Sequence, residues 1–279
     1  MWPFTGGCHY NAGCERFDTQ CGACPQLGSR SEGDLSRFNW WFKQRAYRNA
    51  DIRPVSPSRW LAEEAKKSSA MGHFSPRVIR NAVDLSVFRP GKDRASLRRM
   101  LGLPVDHRLV LVGTNISDSV SRKGAHFVQQ FIDEMRRCMP ADQVTFVTFG
   151  TQSEQDGVIN LNFVSDEAQI ARIYSSMDLF LLPSVEDNLP NTIAECTACG
   201  TPVAGFRIGG VPEMIRHGET GVLADAFDIK ELARGCAALL LDVAALDRFR
   251  IAARRMAEEM YDPLKIAEDY VELYRSILP

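Results

Sequence analysis

From Arg108 to about Asp242 the chain alternates short apolar runs with longer amphipathic ones, and that rhythm limits its fold more than any other feature. RLVLVGT, QVTFVTFG, DLFLLP, PVAGF and GVLA read as strands, rich in Val, Leu and Phe. KGAHFVQQFIDEMRRC, DEAQIARIYSSM, NTIAECTAC, VPEMIRH and IKELARGCAALLLD lie between or after them and read as helices. In the first of these, Phe127, Phe131 and Met135 recur along one side, and Gly200 ends the third. Strands apolar on both faces, alternating with helices, predict βαβ units and a parallel sheet covered on both sides. Two further helices, DRFRIAARRMAEEM and PLKIAEDYVELYRSIL, close the chain.

Upstream the pattern differs. The first 50 residues are loop-rich and aromatic, with WPFTGGCHYNAGCERFDTQCGACP followed by a stretch containing FNWWF. DIRPVSPSRWLAEEAKKSSAMG then reads as strand, turn and capped helix, and RVIRNAVDLSVFRPGKD as a strand entering a linker. The 279 residues suffice for a sizeable core, and 45% hydrophobic with 24% charged residues is ordinary globular composition. A formal net charge of −2 predicts no generic attraction to nucleic acid. No apolar run approaches the roughly 18 residues of a membrane span, and no basic-then-apolar leader opens the sequence, so a cytoplasmic location is expected.

The stretch PSVEDNLPNTIAECTACGTPV, Pro183 to Val203, sets Glu186, Asp187 and Glu195 around a Pro- and Asn-rich turn between two apparent strands. In a parallel sheet, ligands bind beyond the carboxyl ends of strands, where exposed backbone N–H groups of the next helix favour an anion. Carboxylates beside such a site repel phosphate but accept hydrogen bonds from hydroxyls, which suits a phosphorylated polyol such as a sugar nucleotide. An acidic cap on an ordinary helix explains the same residues without a ligand.

The stretch also resembles the donor-site motif of family 4 (group 1) glycosyltransferases of GT-B fold, whose signature is two carboxylates with seven residues between them. DNLPNTIAECTACGTPV is similar to a branch of that family that acts in bacterial polysaccharide synthesis. SRKGAHFVQQFI, LNFVSDEAQIARIYSSMDLFLLPS, FRIGGVPEMIRHGETGVLA, VSPSRWLAE and the Cys-rich opening resemble other segments of it, in the same order.

The resemblance implies a retaining sugar transfer from a nucleotide-diphosphate sugar to a saccharide or lipid-linked acceptor. It gives Glu195 the ribose hydroxyls and Asp187, where the family usually has Glu, the transferred sugar; Glu186 falls one position out of register and is expected to be exposed. Asn188, Leu189, Asn191 and Thr192 supply loop and helix-start contacts, and Pro190 has no N–H to offer. Lys123 neutralises the diphosphate. Arg122 stands in for an Arg that relatives carry where this chain has Asp118. Gly113 and Thr114 follow the first strand, Phe163 lies by the nucleobase, and Gly209 and Gly210 form a cleft loop or a plain turn. Lys123 and Asp187 are the expected catalytic residues. The expected mechanism is front-face displacement, with no metal-binding Asp-x-Asp tripeptide in the sequence. Arg122 and Lys123 also fit a solvated helix start, and Phe163 a core strand residue.

The expected organisation is a partial N-terminal acceptor domain over 1–82, a donor-binding Rossmann-like domain over 83–255, and a C-terminal helix over 256–279 returning toward the N-terminal part. A complete GT-B enzyme has two Rossmann-like domains, so the first part of the acceptor domain is expected to be missing. Either the reading frame is truncated or a protein partner supplies that half. The alternative function is then a non-catalytic sugar-nucleotide-binding subunit. An epimerase of similar fold is disfavoured by DNLPNTIAE and Gly-Gly-Val-Pro-Glu.

Among eight cysteines, Cys8, Cys14, Cys21 and Cys24 form C-x5-C-x6-C-x2-C, whose last pair suits tetrahedral thiolate ligation. A structural zinc site, two disulfides and free thiols all fit that spacing, and His9 is a substitute ligand. Cys196 and Cys199 lie on a helix where packing is the expected role. Arg248, Arg250, Arg254 and Arg255 read as a solvated helix face, with peripheral contact to an anionic inner membrane as a further alternative. Trp40 and Trp41 are expected to cover a core or a bare surface.

Overall fold

Leu109 to Val112 show why the central sheet forms: neighbouring residues of a strand point to opposite faces, and here both sets are apolar. Such a strand is stable only between two covering layers. The structure, a computed structural model, describes residues 1–113, 121–150 and 157–278. It divides into two units, Met1–Arg80 and Asn81–Pro279.

The smaller unit contains helix α1 (Leu35–Tyr47), strand β1 (Val55–Ser56), helix α2 (Arg59–Lys67) and strand β2 (Arg77–Val78), the two strands pairing in parallel. Three 3-10 turns carry the chain through its first 30 residues. Phe4, Phe17, Cys21, Trp40 and Met71 are among the side chains of its core, whereas Trp41 is exposed. The loops are tied down by polar side chains. Ser68 Oγ donates to the Phe4 carbonyl at 2.6 Å, Lys43 Nζ to that of Thr5 at 3.0 Å, and Ser69 Oγ to that of Phe17 at 3.2 Å.

The larger unit runs α3 (Arg94–Met100), β3 (Arg108–Val112), α4 (Ala125–Cys138), β4 (Val144–Thr148), β5 (Val158–Asn160), α5 (Glu167–Ser176) and β6 (Leu179–Leu182). It continues through α6 (Asn191–Ala198), β7 (Val203–Phe206), β8 (Gly221–Ala224), α7 (Ile229–Leu241), α8 (Val243–Met260) and α9 (Pro263–Ile277). The six strands pair in parallel in the order β5-β4-β3-β6-β7-β8. This is the α/β architecture expected from the sequence. Leu109, Leu111, Phe180 and Leu182 face one apolar layer with Tyr174, Ile193 and Tyr261. Val110, Val112, Leu179 and Leu181 face the other with Val128, Phe131, Leu232 and Leu240.

Details depart from expectation. VPEMIRH forms only a 3-10 turn at Val211–Glu213, since a segment of seven residues is too short to nucleate a stable α-helix by itself. A further short strand, Val158–Asn160, was not among the apolar runs read as strands. The boundary expected at 255 falls inside α8: Leu246, Ala253, Met256 and Ala257 are all buried on that one helix, so packing continues across the position. The C-terminal helix α9 belongs to the same unit.

The arginines of α8 are a solvated face only in part: Arg248 and Arg255 are exposed, but Arg250 and Arg254 turn inward. Arg250 pairs with Asp178, and Arg254 donates to the carbonyls of Phe88 at 2.8 Å and Ala198 at 2.7 Å. Asp178 is 1% exposed and also binds Arg98 at 2.7 Å, Arg94 at 3.4 Å and the Leu109 N–H at 2.7 Å. Arg255 alone among the paired ones stays exposed, on Glu259.

Candidate functional site

The chain reverses its direction of growth between β3 and β6: β4 lies beyond one and β7 beyond the other. Such a switch point opens a crevice at the carboxyl ends of the two strands, faced by the N-termini of the helices that follow. Those helices are α4 and α6, and both differ from the rest. Among the described residues, α1, α2, α3, α5, α7, α8 and α9 each begin with an Asp or Ser whose side chain accepts a backbone N–H. At α4 the cap position is Gly124 and at α6 it is Pro190, with no side-chain cap bond at either. The two helix starts flanking the switch point thus leave their first N–H groups to other acceptors, and the dipole there favours an anion.

Two tight backbone approaches hold the crevice. Gly124 has φ +71°, and a Cβ on it would lie 1.8 Å from the Pro183 carbonyl oxygen, so only glycine lets the Lys123 turn rest on the end of β6. The Val185 N–H donates to the Arg122 carbonyl at 2.7 Å across the same junction. Gly209 has φ +50°, and a Cβ there would meet the Asp187 carbonyl at 1.9 Å; the Gly210 N–H donates to that carbonyl at 3.1 Å. The Gly-Gly segment is therefore docked on the acidic loop.

Arg122, Lys123, Glu186, Asp187 and Asn188 come together. Lys123 Nζ lies 2.7 Å from Asp187 Oδ2, and Arg122 Nη1 lies 3.7 Å from the same oxygen and 3.2 Å from the Glu186 carbonyl. Ser184 Oγ donates to Asp187 Oδ2 at 3.2 Å, and the Asn188 N–H to Oδ1 at 3.1 Å. Asp187 is only 4% exposed. Its carboxylate is engaged on both oxygens and lies on the ammonium of Lys123, which stays one-third exposed. Glu186 is half-buried rather than exposed, since its backbone is held by Arg122.

Glu195 is held separately. It sits in the second turn of α6, half-buried, and accepts a hydrogen bond from the Tyr174 hydroxyl at 3.1 Å. Burial pushes its carboxyl above the ordinary glutamate range; Tyr174 opposes that shift and Glu167 adds to it. Tyr174 itself is 2% exposed, and burial raises its hydroxyl far above the usual tyrosine value, so it remains a donor. Asn191, at the first position of α6, is exposed and accepts from Asn81 Nδ2 at 3.1 Å. Thr192 is half-buried beside it.

Other expected residues fall elsewhere. The Leu189 side chain is buried in the apolar layer, which leaves only its backbone for a ligand. Phe163 is 75% exposed, beyond the end of β5, and so is no core strand residue. Gly113 closes β3 and donates to the Leu181 carbonyl at 2.8 Å. Thr114 and Asp118 lie outside the described residues. Tyr174 and Asn81 were not legible as site residues. The one available signal was a polar-tipped aromatic on the buried side of DEAQIARIYSSM, which looks like any amphipathic helix.

Cys8, Cys14, Cys21 and Cys24 all line one cavity of the smaller unit, and each is a free thiol. Among the described residues no group of three or more His, Cys, Asp or Glu side chains converges closely enough to hold a single metal ion as it stands. Cys196 and Cys199 are buried in the core. No helix among the described residues is long and apolar enough to cross a membrane.

Residues 106–242 match the family described as glycosyl transferases group 1. The chain is 28% identical over 231 residues to the D-inositol 3-phosphate glycosyltransferase of Thermobispora bispora, covering 75% of this chain and 54% of that protein. It is 24% identical over 285 residues to the putative colanic acid biosynthesis glycosyl transferase WcaC of Escherichia coli, covering 99% of this chain and 66% of that one. It thus spans between about half and two thirds of the length of these relatives. Among solved structures, sucrose-phosphate synthase from Thermosynechococcus elongatus superposes with TM-score 0.73 at 22% identity, over 96% of this chain and 66% of the other. HepE from Anabaena in complex with UDP-glucose superposes with TM-score 0.71 at 21% identity, over 86% of this chain and 68% of the other. Fold and family match agree: residues 106–242 are those of a group 1 glycosyltransferase, and the chain has the fold of the GT-B enzymes it superposes on.

Proposed function

We propose that the crevice at the ends of β3 and β6 binds a nucleotide-diphosphate sugar, whose sugar is transferred with retained anomeric configuration to a saccharide or lipid-linked acceptor in cell-surface polysaccharide synthesis. The observation that carries this reading is the pair of uncapped helix starts at the switch point, joined there by Lys123 and Arg122. Backbone N–H groups of α4 and α6 and the two cations supply what a diphosphate requires. Glu195, turned by Tyr174, supplies an acceptor for ribose hydroxyls. HepE was solved with UDP-glucose and WcaC is named for colanic acid biosynthesis, which supports the donor class and the polysaccharide setting.

Lys123 then acts on the leaving group. Negative charge grows on the departing diphosphate as the glycosidic bond breaks, and an ammonium pre-set by Asp187 stabilises it without reorganisation. Lys123→Ala is expected to weaken donor binding by about 10- to 100-fold, the range of a lost charged hydrogen bond. Isothermal titration with UDP, GDP and their hexose conjugates measures it, and unchanged affinity for all of them removes Lys123 from the site. Transfer or hydrolysis of the donor by the purified chain distinguishes an enzyme from a donor-binding subunit.

A further inference from the structure

We propose that Phe227 is a positioning residue of the crevice, fixing the first turn of α4 through a triad of aromatic rings with Phe127 and Phe206. The proposal rests on the donor reading above, because it concerns backbone N–H groups which that reading assigns to the diphosphate.

Phe227 lies in the loop between β8 and α7 and has φ +69°. The left-handed region suits glycine; a bulky side chain there marks a conformation imposed by its surroundings. Among the described residues the other non-glycine examples are Ala12, Ala23 and Asn162, so Phe227 is the one large apolar side chain held this way. Its loop is tied at both ends. The Asp225 N–H donates to Glu231 Oε2 at 2.7 Å, and Asp228 caps α7 by accepting the Glu231 N–H at 2.8 Å. The ring itself is exposed, so burial alone does not hold it.

Other rings do. Phe227 and Phe127 stack with centroids 5.8 Å and planes 12° apart, while Phe227 meets Phe206 edge-on at 5.8 Å. Phe127 and Phe206 meet edge-on at 5.5 Å, which closes the triad. These are the stacked and T-shaped arrangements that ring quadrupoles favour. Phe127 is the third residue of α4, the helix that starts at Gly124 with no side-chain cap. Its own N–H is spent on the Gly124 carbonyl at 2.9 Å, which leaves the Ala125 and His126 N–H groups ahead of it for an outside acceptor. Phe206 ends β7, just before the Gly209 turn that docks on the Asp187 loop. An uncapped first turn frays readily. Here a ring clamp from a neighbouring loop does what a cap does elsewhere, and it leaves the N–H groups open. Without the Phe227 ring the turn loosens, and a diphosphate must order those groups as it binds.

The test combines ligand-free hydrogen exchange with titration by UDP and GDP, on the whole chain, Phe227→Gly and Phe227→Tyr. Glycine removes the ring and adopts the left-handed backbone freely, so no added strain confuses the result; tyrosine keeps the ring. The amides of residues 129–131 bond to the carbonyls of 125–127. In Phe227→Gly they are expected to exchange about 2- to 10-fold faster, the range of one lost aromatic pair, while amides of α8 are unchanged. Nucleotide affinity is expected to weaken by a similar factor in Phe227→Gly and to return in Phe227→Tyr. Unchanged exchange in Phe227→Gly overturns the clamp, whatever the nucleotides do. Faster exchange with unchanged affinity shows a triad that only supports the fold, and overturns the positioning role while the donor reading stands. A parent chain that binds neither nucleotide sinks the donor reading itself, and the positioning role with it.

Discussion

In the Asn81–Pro279 unit, four successive residues of β3 alternate between two apolar layers, and those of β6 do the same. In the Met1–Arg80 unit the strands are two residues long and eight buried apolar side chains make the core. The first unit is stabilised mainly by non-directional burial, which tolerates small displacements. The second relies on directional bonds from Ser68, Lys43, Ser69 and Asp34 to loop backbone, which do not. The expectation is that the larger unit is most vulnerable where it departs from burial, and the smaller one wherever a polar clasp is cut.

Asp178 is that departure. Its carboxylate is buried at the start of β6, answering Arg94, Arg98 and Arg250 and the Leu109 N–H. Asp178→Ala strands three guanidinium groups, of which that of Arg98 is almost wholly buried. Breaking a buried ion pair from one side costs about 3–5 kcal/mol. Urea denaturation followed through the larger unit is expected to show a loss of that size, the largest effect foreseen here. A loss below about 1 kcal/mol would mean that the arginines relax into solvent and that the knot is no exception to burial.

Ser68→Ala probes the other side of the comparison. The hydroxyl is buried and donates to the Phe4 carbonyl, which then loses its partner away from water. The expected cost is about 1–3 kcal/mol. Hydrogen exchange resolves where it falls: amides of residues 4–71 should lose protection while those of β3 and β6 keep it. Equal loss in both units would break the distinction drawn between them.

The same contrast explains what could be read from the sequence. Residues 108–224 announce their strands because burial on two faces writes a continuous apolar run, and RLVLVG or DLFLLP has no other use. The loop after β6 stood out through its resemblance to a family motif, which fixes the places of Lys123, Asp187 and Glu195 relative to those runs. What was not legible depended on contacts between distant residues. Asp187 is met by Lys123 and Ser184, so its carboxylate is committed inward, and no local pattern announces that. Arg250 and Arg254 look like a charged helix face until Asp178 and the Phe88 carbonyl are placed beside them. Leu189 reads as part of a polar loop, yet its side chain belongs to the core. In the smaller unit almost nothing is periodic, and only the cysteine spacing stood out.

The smallest expected effect concerns the place where the two kinds of stabilisation meet. Tyr174 is a core residue by its ring and a polar clasp by its hydroxyl, which donates to Glu195. Tyr174→Phe keeps the packing and removes the donor, so a structural role predicts little change, whereas a positioning role predicts weaker donor binding, about 3- to 10-fold for a hydrogen bond of about 1 kcal/mol. The pH dependence separates the two. Burial already holds the Glu195 carboxyl above the ordinary value of 4.5, and the tyrosine bond works against that shift. Between the unfolded and folded values the native state binds the extra proton, so stability falls as pH rises through that window and the full cost of the buried charge remains above it. Without the hydroxyl the folded value climbs further, the window widens upward and the loss deepens. Melting temperature measured from pH 4.5 to 8 should therefore decline more steeply in Tyr174→Phe than in the parent chain, and Glu195→Gln should remove this contribution while still weakening the donor. Superimposable profiles for all three proteins would show that the hydroxyl and the carboxylate do not act on each other, and Glu195 would then have to be held by the α6 backbone alone.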